Sequence, residues 1–110
     1  RITQFIDNTD ELFQKAVEKL KKEGMQALMI DVRSDPGGML TSVVNICDYL
    51  LPEGTIVSIK DKNGKVVEEY KSTDDEYLDM PMVVLANEYS ASASEILTSA
   101  LKEFGAATVV

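Results

Sequence analysis

Ala27-Leu28-Met29-Ile30-Asp31-Val32-Arg33-Ser34-Asp35-Pro36-Gly37-Gly38 is the stretch that decides the fold. Its first six residues are nearly continuously apolar between polar flanks, the pattern of a strand buried on both faces. Its last six contain a proline and two glycines and read as a loop. Met39 to about Leu51 follows as a helix, with Leu40, Val43, Val44, Ile46, Cys47 and Leu50 as its apolar positions, and Pro52 and Gly54 end it. The same order returns downstream. Pro81-Met82-Val83-Val84-Leu85-Ala86 predicts a second buried strand. Asn87–Ser90 turns the chain, and Ser90 to about Phe104 predicts a helix with Ile96, Leu97, Ala100, Leu101 and Phe104 on one face. Gly105 stops that helix, and Ala106–Val110 begins another strand.

The rest of the chain fits around these two units. Arg1–Phe5 is short, β-branched and aromatic, and predicts a strand. Asn8 or Thr9 caps a helix whose apolar positions are Leu12, Phe13, Ala16, Val17 and Leu20, and Gly24 stops it. Thr55–Lys60 and Val66–Tyr70 predict a hairpin around Asp61-Lys62-Asn63-Gly64, and Lys71–Asp79 an exposed acidic connection. The predicted order is β-α-β-α-β-β-β-α-β. Buried strands alternating with amphipathic helices mean an α/β layered fold with a largely parallel sheet. The chain starts inside one predicted strand and stops inside another, which predicts a piece of a larger protein.

Composition narrows the chemistry. The 110 residues suit one domain, and 45% apolar with 27% charged is the balance of an ordinary globular chain. Nineteen acids against eleven bases leave a net charge of −8, so a nucleic-acid partner is not expected. No apolar run reaches the length of a membrane span, and no stretch of these residues reads as a signal peptide. Histidine is absent, which excludes a Ser-His-Asp triad and a Cys/His zinc site; neither a cofactor nor a metal is expected. Cys47 is the sole cysteine, excludes an internal disulfide and reads as a small apolar residue.

Two loops can carry chemistry. In Arg33–Gly38, a glycine pair follows a buried strand at the end where parallel sheets build their sites. Glycines there let the backbone approach a ligand and leave N–H groups free for an oxyanion; they also suit a simple tight turn. In Asn87–Ile96, Ser92-Ala93-Ser94-Glu95 fits a capping box, with Ser92 as N-cap and Glu95 reaching back. The same serine also fits a nucleophile at a strand-to-helix turn. Together the loops have the layout of acyl transfer. No base is evident. Lys102 and Glu103 lie about 15 and 16 Å along the helix from Ser92. Lys60, Lys62, Lys65 and Lys71 belong to the hairpin or its sequel and read as solvated.

Asp31-Val32-Arg33-Ser34-Asp35-Pro36-Gly37-Gly38 resembles the D-L-R-x-N-P-G-G motif of the carboxyl-terminal processing, or tail-specific, proteases. Pro81–Ile96, PMVVLANEYSASASEI, resembles that family's P-L-V-V-L-V-N-x-x-S-A-S-A-S-E-I segment. The likeness extends over nearly the whole chain, with Asp35 in place of asparagine and Tyr89 where glycine is common. It implies a serine endopeptidase of the Ser/Lys dyad type that cuts proteins near their C-termini, on a crotonase/Clp-protease-like core. Ser92 matches the nucleophile, and the Gly38 and Ala93 amides match the oxyanion hole, with Gly37 and Glu103 in supporting places. The lysine base, roughly twenty-five residues past the nucleophile, falls beyond Val110. Residues 1–110 are thus expected to be a catalytic-core fragment without its PDZ domain and C-terminal catalytic segment, and inactive alone. The resemblance further implies polypeptide C-terminal regions as substrate, a periplasmic, extracytoplasmic or membrane-associated setting, and a possible homo-oligomer. Two alternatives stay open on the residues: a non-catalytic α/β module that binds peptides, and a crotonase-like acyl-CoA enzyme.

Overall fold

The computed structural model describes residues 1–72 and 77–110, so the 73–76 part of the expected acidic connection lies outside the described residues. In chain order the elements are α1 (Thr9–Lys22), β1 (Leu28–Asp31), α2 (Leu40–Leu50), β2 (Gly54–Lys60), β3 (Val66–Ser72), β4 (Met82–Leu85), α3 (Ala93–Glu103) and β5 (Ala107–Val109). β1, β4 and β5 form a parallel sheet in the order β1-β4-β5. Leu28 stands opposite Met82 and Asp31 opposite Leu85, so β1 and β4 end level with each other. The loops that leave them emerge side by side, and this places the site.

The core lies on one face of that sheet. Leu28 and Ile30 of β1 and Met82 and Val84 of β4 are buried with Val43, Ile46, Cys47 and Leu50 of α2 and Leu97, Ala100 and Leu101 of α3. Burial of a leucine or isoleucine side chain is worth about 1.5–3 kcal/mol each, so this single face supplies much of the driving force. The expectation that the first strand is buried on both faces is not met. Met29, on the opposite face of β1, is 63% exposed, because β1 is an edge strand and no helix among the described residues covers that side. The apolar side of α1 is likewise partly open. Val17 is buried, whereas Leu12 and Leu20 are exposed.

Arg1–Phe5 is not a strand. It makes a single parallel bridge, Phe5 to Gly38. The Ile2 N–H donates to the Asp31 carbonyl at 2.9 Å, and the Phe5 N–H to the Gly37 carbonyl at 2.9 Å. The segment therefore follows a diverging loop rather than an extended neighbour, and no regular ladder can form. The helix from Thr9 begins at Asn8 without a side-chain cap. Instead the Thr9 hydroxyl accepts the Ile6 N–H at 2.9 Å and donates to the Gln4 carbonyl. The α3 helix begins at Ala93, three residues later than expected, because Asn87–Ser92 is held in a turn.

The β2–β3 hairpin is antiparallel. Its turn is closed by Asp61, whose carboxylate accepts the Asn63 and Lys65 N–H groups at 2.8 and 2.9 Å. It is tied to the helical layer by Ser72, which is buried and donates to the Leu51 carbonyl at 2.8 Å. No helix among the described residues is long and apolar enough to cross a membrane.

Candidate functional site

Four side chains stitch the loop after β1 to the turn after β4. The Asn87 carboxamide accepts the Ser34 N–H at 2.8 Å and donates to the Ser34 hydroxyl at 3.1 Å. The Ser90 hydroxyl donates to the Val32 carbonyl at 2.7 Å and accepts the Asn87 N–H at 3.1 Å. Ser94 is fully buried, and its hydroxyl lies 2.9 Å from the Asp35 carbonyl and 2.7 Å from the Ala91 carbonyl. The Asp35 carbonyl also takes the Ala91 N–H at 3.0 Å. At the mouth of the first loop, Arg33 clasps Asp31 through two contacts at 3.0 and 2.9 Å. Those hydrogen bonds hold the Asp31 carboxyl well below the usual carboxylate range.

Ser92 is exposed at the N-cap of α3. Its φ of 56° and ψ of −117° form a conformation that costs a serine about 1–3 kcal/mol, and such strain concentrates at active sites. The Glu95 carboxylate accepts the Ser92 N–H at 3.2 Å, which is the return half of the expected capping box. The capping and nucleophile readings are compatible: both halves of the box are present, and Ser92 remains exposed. The Ser92 hydroxyl also sits at the positive end of α3, where a developing negative charge is favoured.

The glycine pair has two separate reasons to be glycine. A Cβ on Gly37 would lie 2.6 Å from Ser92 Cβ and 2.8 Å from Ala93 N. A Cβ on Gly38 would collide with the Phe5 backbone. Both residues also have φ in the left-handed range, 102° and 146°. The Gly37 N–H is not open to a ligand, because it donates to the Asp35 carboxylate at 2.7 Å. The Gly38 and Ala93 N–H groups meet no acceptor among the described residues. The structure thus seats the Gly37-Gly38 turn against Ser92 and Ala93 through Gly37.

Glu103 is not at the serine. It lies at the far end of α3, about 16 Å along the axis by helical rise. It does share an open groove with Ser92, which runs between α3 and β2 and is lined by Thr55–Ser58, Lys60, Glu95, Ile96 and Ser99 as well. Lys60, expected to be simply solvated, is exposed and borders this groove. No hydrogen bond joins the Ser92 hydroxyl to a lysine among the described residues. A second cleft, between α1 and β1, is bordered by Ile6, Leu12, Leu20 and Met29 and lies outside the two-loop site.

Sequence reasoning gave no roles to Asp35, Asn87 and Phe5. Asp35 is completely buried, and the Phe5 backbone bonds on both sides of Gly38, to the Gly37 carbonyl and the Met39 N–H. An asparagine directly after a buried strand is a turn signal and could have pointed to Asn87. Nothing local marks Asp35 as buried, since aspartate in a Pro-Gly-Gly loop ordinarily faces water.

Residues 1–110 match the model of peptidase family S41 along their whole length. The chain is 36% identical over 110 residues to a carboxyl-terminal-processing protease of Picosynechococcus sp., covering 100% of this chain and 26% of that protein. The same figures hold for a carboxyl-terminal-processing protease of Synechocystis sp.. The fold superposes on the photosystem II D1 C-terminal processing protease with a TM-score of 0.92 and 34% identity, over 99% of this chain and 28% of that one. A lipoprotein from Streptococcus agalactiae shares the fold at a TM-score of 0.69 and 16% identity, over 94% of this chain and 41% of that one. The chain spans about a quarter of the length of the two curated relatives.

Proposed function

The chain belongs to peptidase family S41, and from that premise we propose that it supplies the nucleophile and the oxyanion-binding backbone of a serine endopeptidase that cuts polypeptides near their C-termini. The observation that supports this most is the seat of Gly37 against a strained, exposed Ser92, with the N–H groups of the adjoining Gly38 and Ala93 unbonded among the described residues. In this reading the substrate lies in the groove between α3 and β2. Ser92 Oγ attacks the scissile carbonyl carbon and its proton passes to a base. The carbonyl π electrons move onto oxygen, and the Gly38 and Ala93 N–H groups hold the oxyanion. Collapse of that intermediate breaks the C–N bond, and the leaving amine takes the proton. Water then hydrolyses the ester on Ser92.

The base in this proposal is a lysine outside these 110 residues, kept neutral by burial. Glu103, at the distant end of the groove, supports rather than transfers a proton. The names of the relatives, carboxyl-terminal-processing protease and D1 C-terminal processing protease, favour a C-terminal cleavage site.

The test is cleavage of a peptide with an extended C-terminal tail by the full-length protein, followed by mass spectrometry. Ser92→Ala should abolish cleavage. A full-length Ser92→Ala variant that still cuts would overturn the assignment. The bond from Ser92 N–H to Glu95 favours one other reading, a peptide-binding module in which the serine only caps α3. That reading predicts peptide binding without products in the unaltered protein.

A further inference from the structure

The first loop holds a group that the proposed chemistry does not use. Asp35 is 0% exposed, and its two carboxyl oxygens are treated very differently. Oδ1 accepts the Gly37 N–H at 2.7 Å, while Oδ2 is buried with no hydrogen-bond partner. The main chain of the same residue reaches the other loop: its carbonyl accepts the Ala91 N–H at 3.0 Å and the Ser94 hydroxyl at 2.9 Å. Asp35 is therefore bonded to the glycine that touches Ser92 and to residues on either side of Ser92 in the chain.

The charged groups on the surrounding elements are engaged elsewhere or exposed. Asp31 and Arg33, on the strand side of the same loop, pair with each other at 2.9 Å. Arg1, on the N-terminal segment, lies beside that pair. Glu88, in the turn after β4, is exposed. Glu95, in the first turn of α3, accepts the Ser92 N–H. Asp48 of α2 takes the Ser72 hydroxyl at 3.0 Å. No cation reaches Asp35 among the described residues. A buried carboxylate with one bare oxygen and no counter-charge is unfavourable, and the neutral acid avoids most of that cost.

We propose that Asp35 is a positioning residue, held as a neutral carboxylic acid, that clasps the Gly37-Gly38 turn onto the Ser92 turn and so sets the oxyanion-binding amides. Burial pushes its carboxyl pKa up, against the lowering effect of the Gly37 N–H. The folded state then binds a proton that the unfolded chain releases near pH 4. The net stability that Asp35 lends the fold is accordingly complete in acid and is lost as pH rises through the folded pKa, because the burial cost of the charge outweighs the gain at the Gly37 N–H. The catalytic consequence rests on the serine-peptidase reading; the protonation and the clasp do not.

The experiment compares the full-length protein with Asp35→Asn, a neutral isostere that keeps the acceptor, and Asp35→Ala, which removes it. Urea unfolding and amide hydrogen exchange at Gly37 and Ala91 are measured from pH 4.5 to 8, with kcat and KM alongside. Stability of the unaltered protein should fall relative to Asp35→Asn as pH rises. Exchange at the two amides, corrected for intrinsic rate, should be at least about tenfold faster in Asp35→Ala and near the original in Asp35→Asn. The kcat of Asp35→Ala should drop about tenfold or more with KM little changed, and Asp35→Asn should restore it. A stability difference from Asp35→Asn that stays flat across this range overturns the neutral acid. Unchanged exchange in Asp35→Ala overturns the clasp. If Asp35→Ala does not fold, the exchange ratio between the unaltered protein and Asp35→Asn must rise with pH, and a constant ratio overturns the proposal. Absence of cleavage in the unaltered protein would remove the peptidase reading while the stability and exchange arms still decide the role of Asp35.

Discussion

Gly37 and Ser92, 55 positions apart in the chain, sit so close that one methyl group between them would not fit: a Cβ on Gly37 would stand 2.6 Å from Ser92 Cβ. This contact couples the loop after β1 to the turn after β4 at the serine that the proposed reaction uses. It also gives the glycine pair a reason beyond turn geometry.

Gly37→Ala should therefore harm both stability and function. A Cβ at φ 102° costs about 1–2 kcal/mol by itself, and the collision with the Ser92 turn adds about 1–3 kcal/mol. Gly24→Ala is the control, since Gly24 has φ 92° but nothing within 4 Å of an added Cβ. Urea unfolding should show the smaller loss for Gly24→Ala and the larger for Gly37→Ala. In the full-length protein only Gly37→Ala should lower kcat. Equal losses in the two variants would mean that the contact with Ser92 has no energetic weight.

The three serines of Ser90-Ala91-Ser92-Ala93-Ser94 should separate by role. Ser90 and Ser94 donate to the carbonyls of Val32 and Asp35 and so hold the loops together. Ser90→Ala and Ser94→Ala should each lose about 1–3 kcal/mol of stability and keep most peptide cleavage. Ser92→Ala should lose cleavage entirely. Relief of its strained backbone is not expected, because alanine is no more at home at φ 56° than serine. Side-by-side unfolding curves and cleavage rates read out both columns of this expectation.

The 110-residue chain alone should be chemically quiet. A serine hydroxyl without a base stays protonated at neutral pH and is a poor nucleophile. Incubation with a fluorophosphonate probe should leave Ser92 unmodified by mass spectrometry. Stoichiometric labelling would reveal a base within these residues, and Lys60, on the same groove, would be the first lysine to replace.

Alkaline pH should weaken the fold through Cys47 and Tyr49. Burial pushes the Cys47 thiol up to about 12 and, with help from the hydrogen bond to Glu18, the Tyr49 hydroxyl up to about 12. Both acids hold their protons more tightly when folded, so the stability they lend is complete below their ordinary pKa values, 9.0 for the thiol and 10.0 for the phenol. It is lost as pH rises from there toward 12. Urea midpoints should fall steadily between pH 9 and 11, and less steeply in Cys47→Ala. At pH 8 an aromatic disulfide reagent should react with Cys47 only after denaturant is added. Prompt labelling of the native protein would contradict the burial of Cys47.

The sequence by itself determined the strands at Leu28–Asp31 and Met82–Leu85, the three helices and the hairpin, because each is written in a local pattern of apolar spacing, glycine and turn residues. It also marked Ser92 and the glycine pair as residue types suited to acyl transfer. It misjudged Arg1–Phe5, whose strand-like composition finds only the one bridge, Phe5 to Gly38. It misjudged the burial of Met29 as well, since an apolar run looks the same on an edge strand as in the middle of a sheet. What only the tertiary structure decided is the meeting of the two loops. That meeting follows from β1 and β4 lying in parallel register, and from bonds such as Ser34 to Asn87 and Ser94 to Asp35, which span 53 and 59 positions. No local pattern encodes a contact between residues so far apart. The burial of Asp35 was likewise decided in three dimensions: its carboxyl is out of water while its main-chain carbonyl is bonded to the second loop.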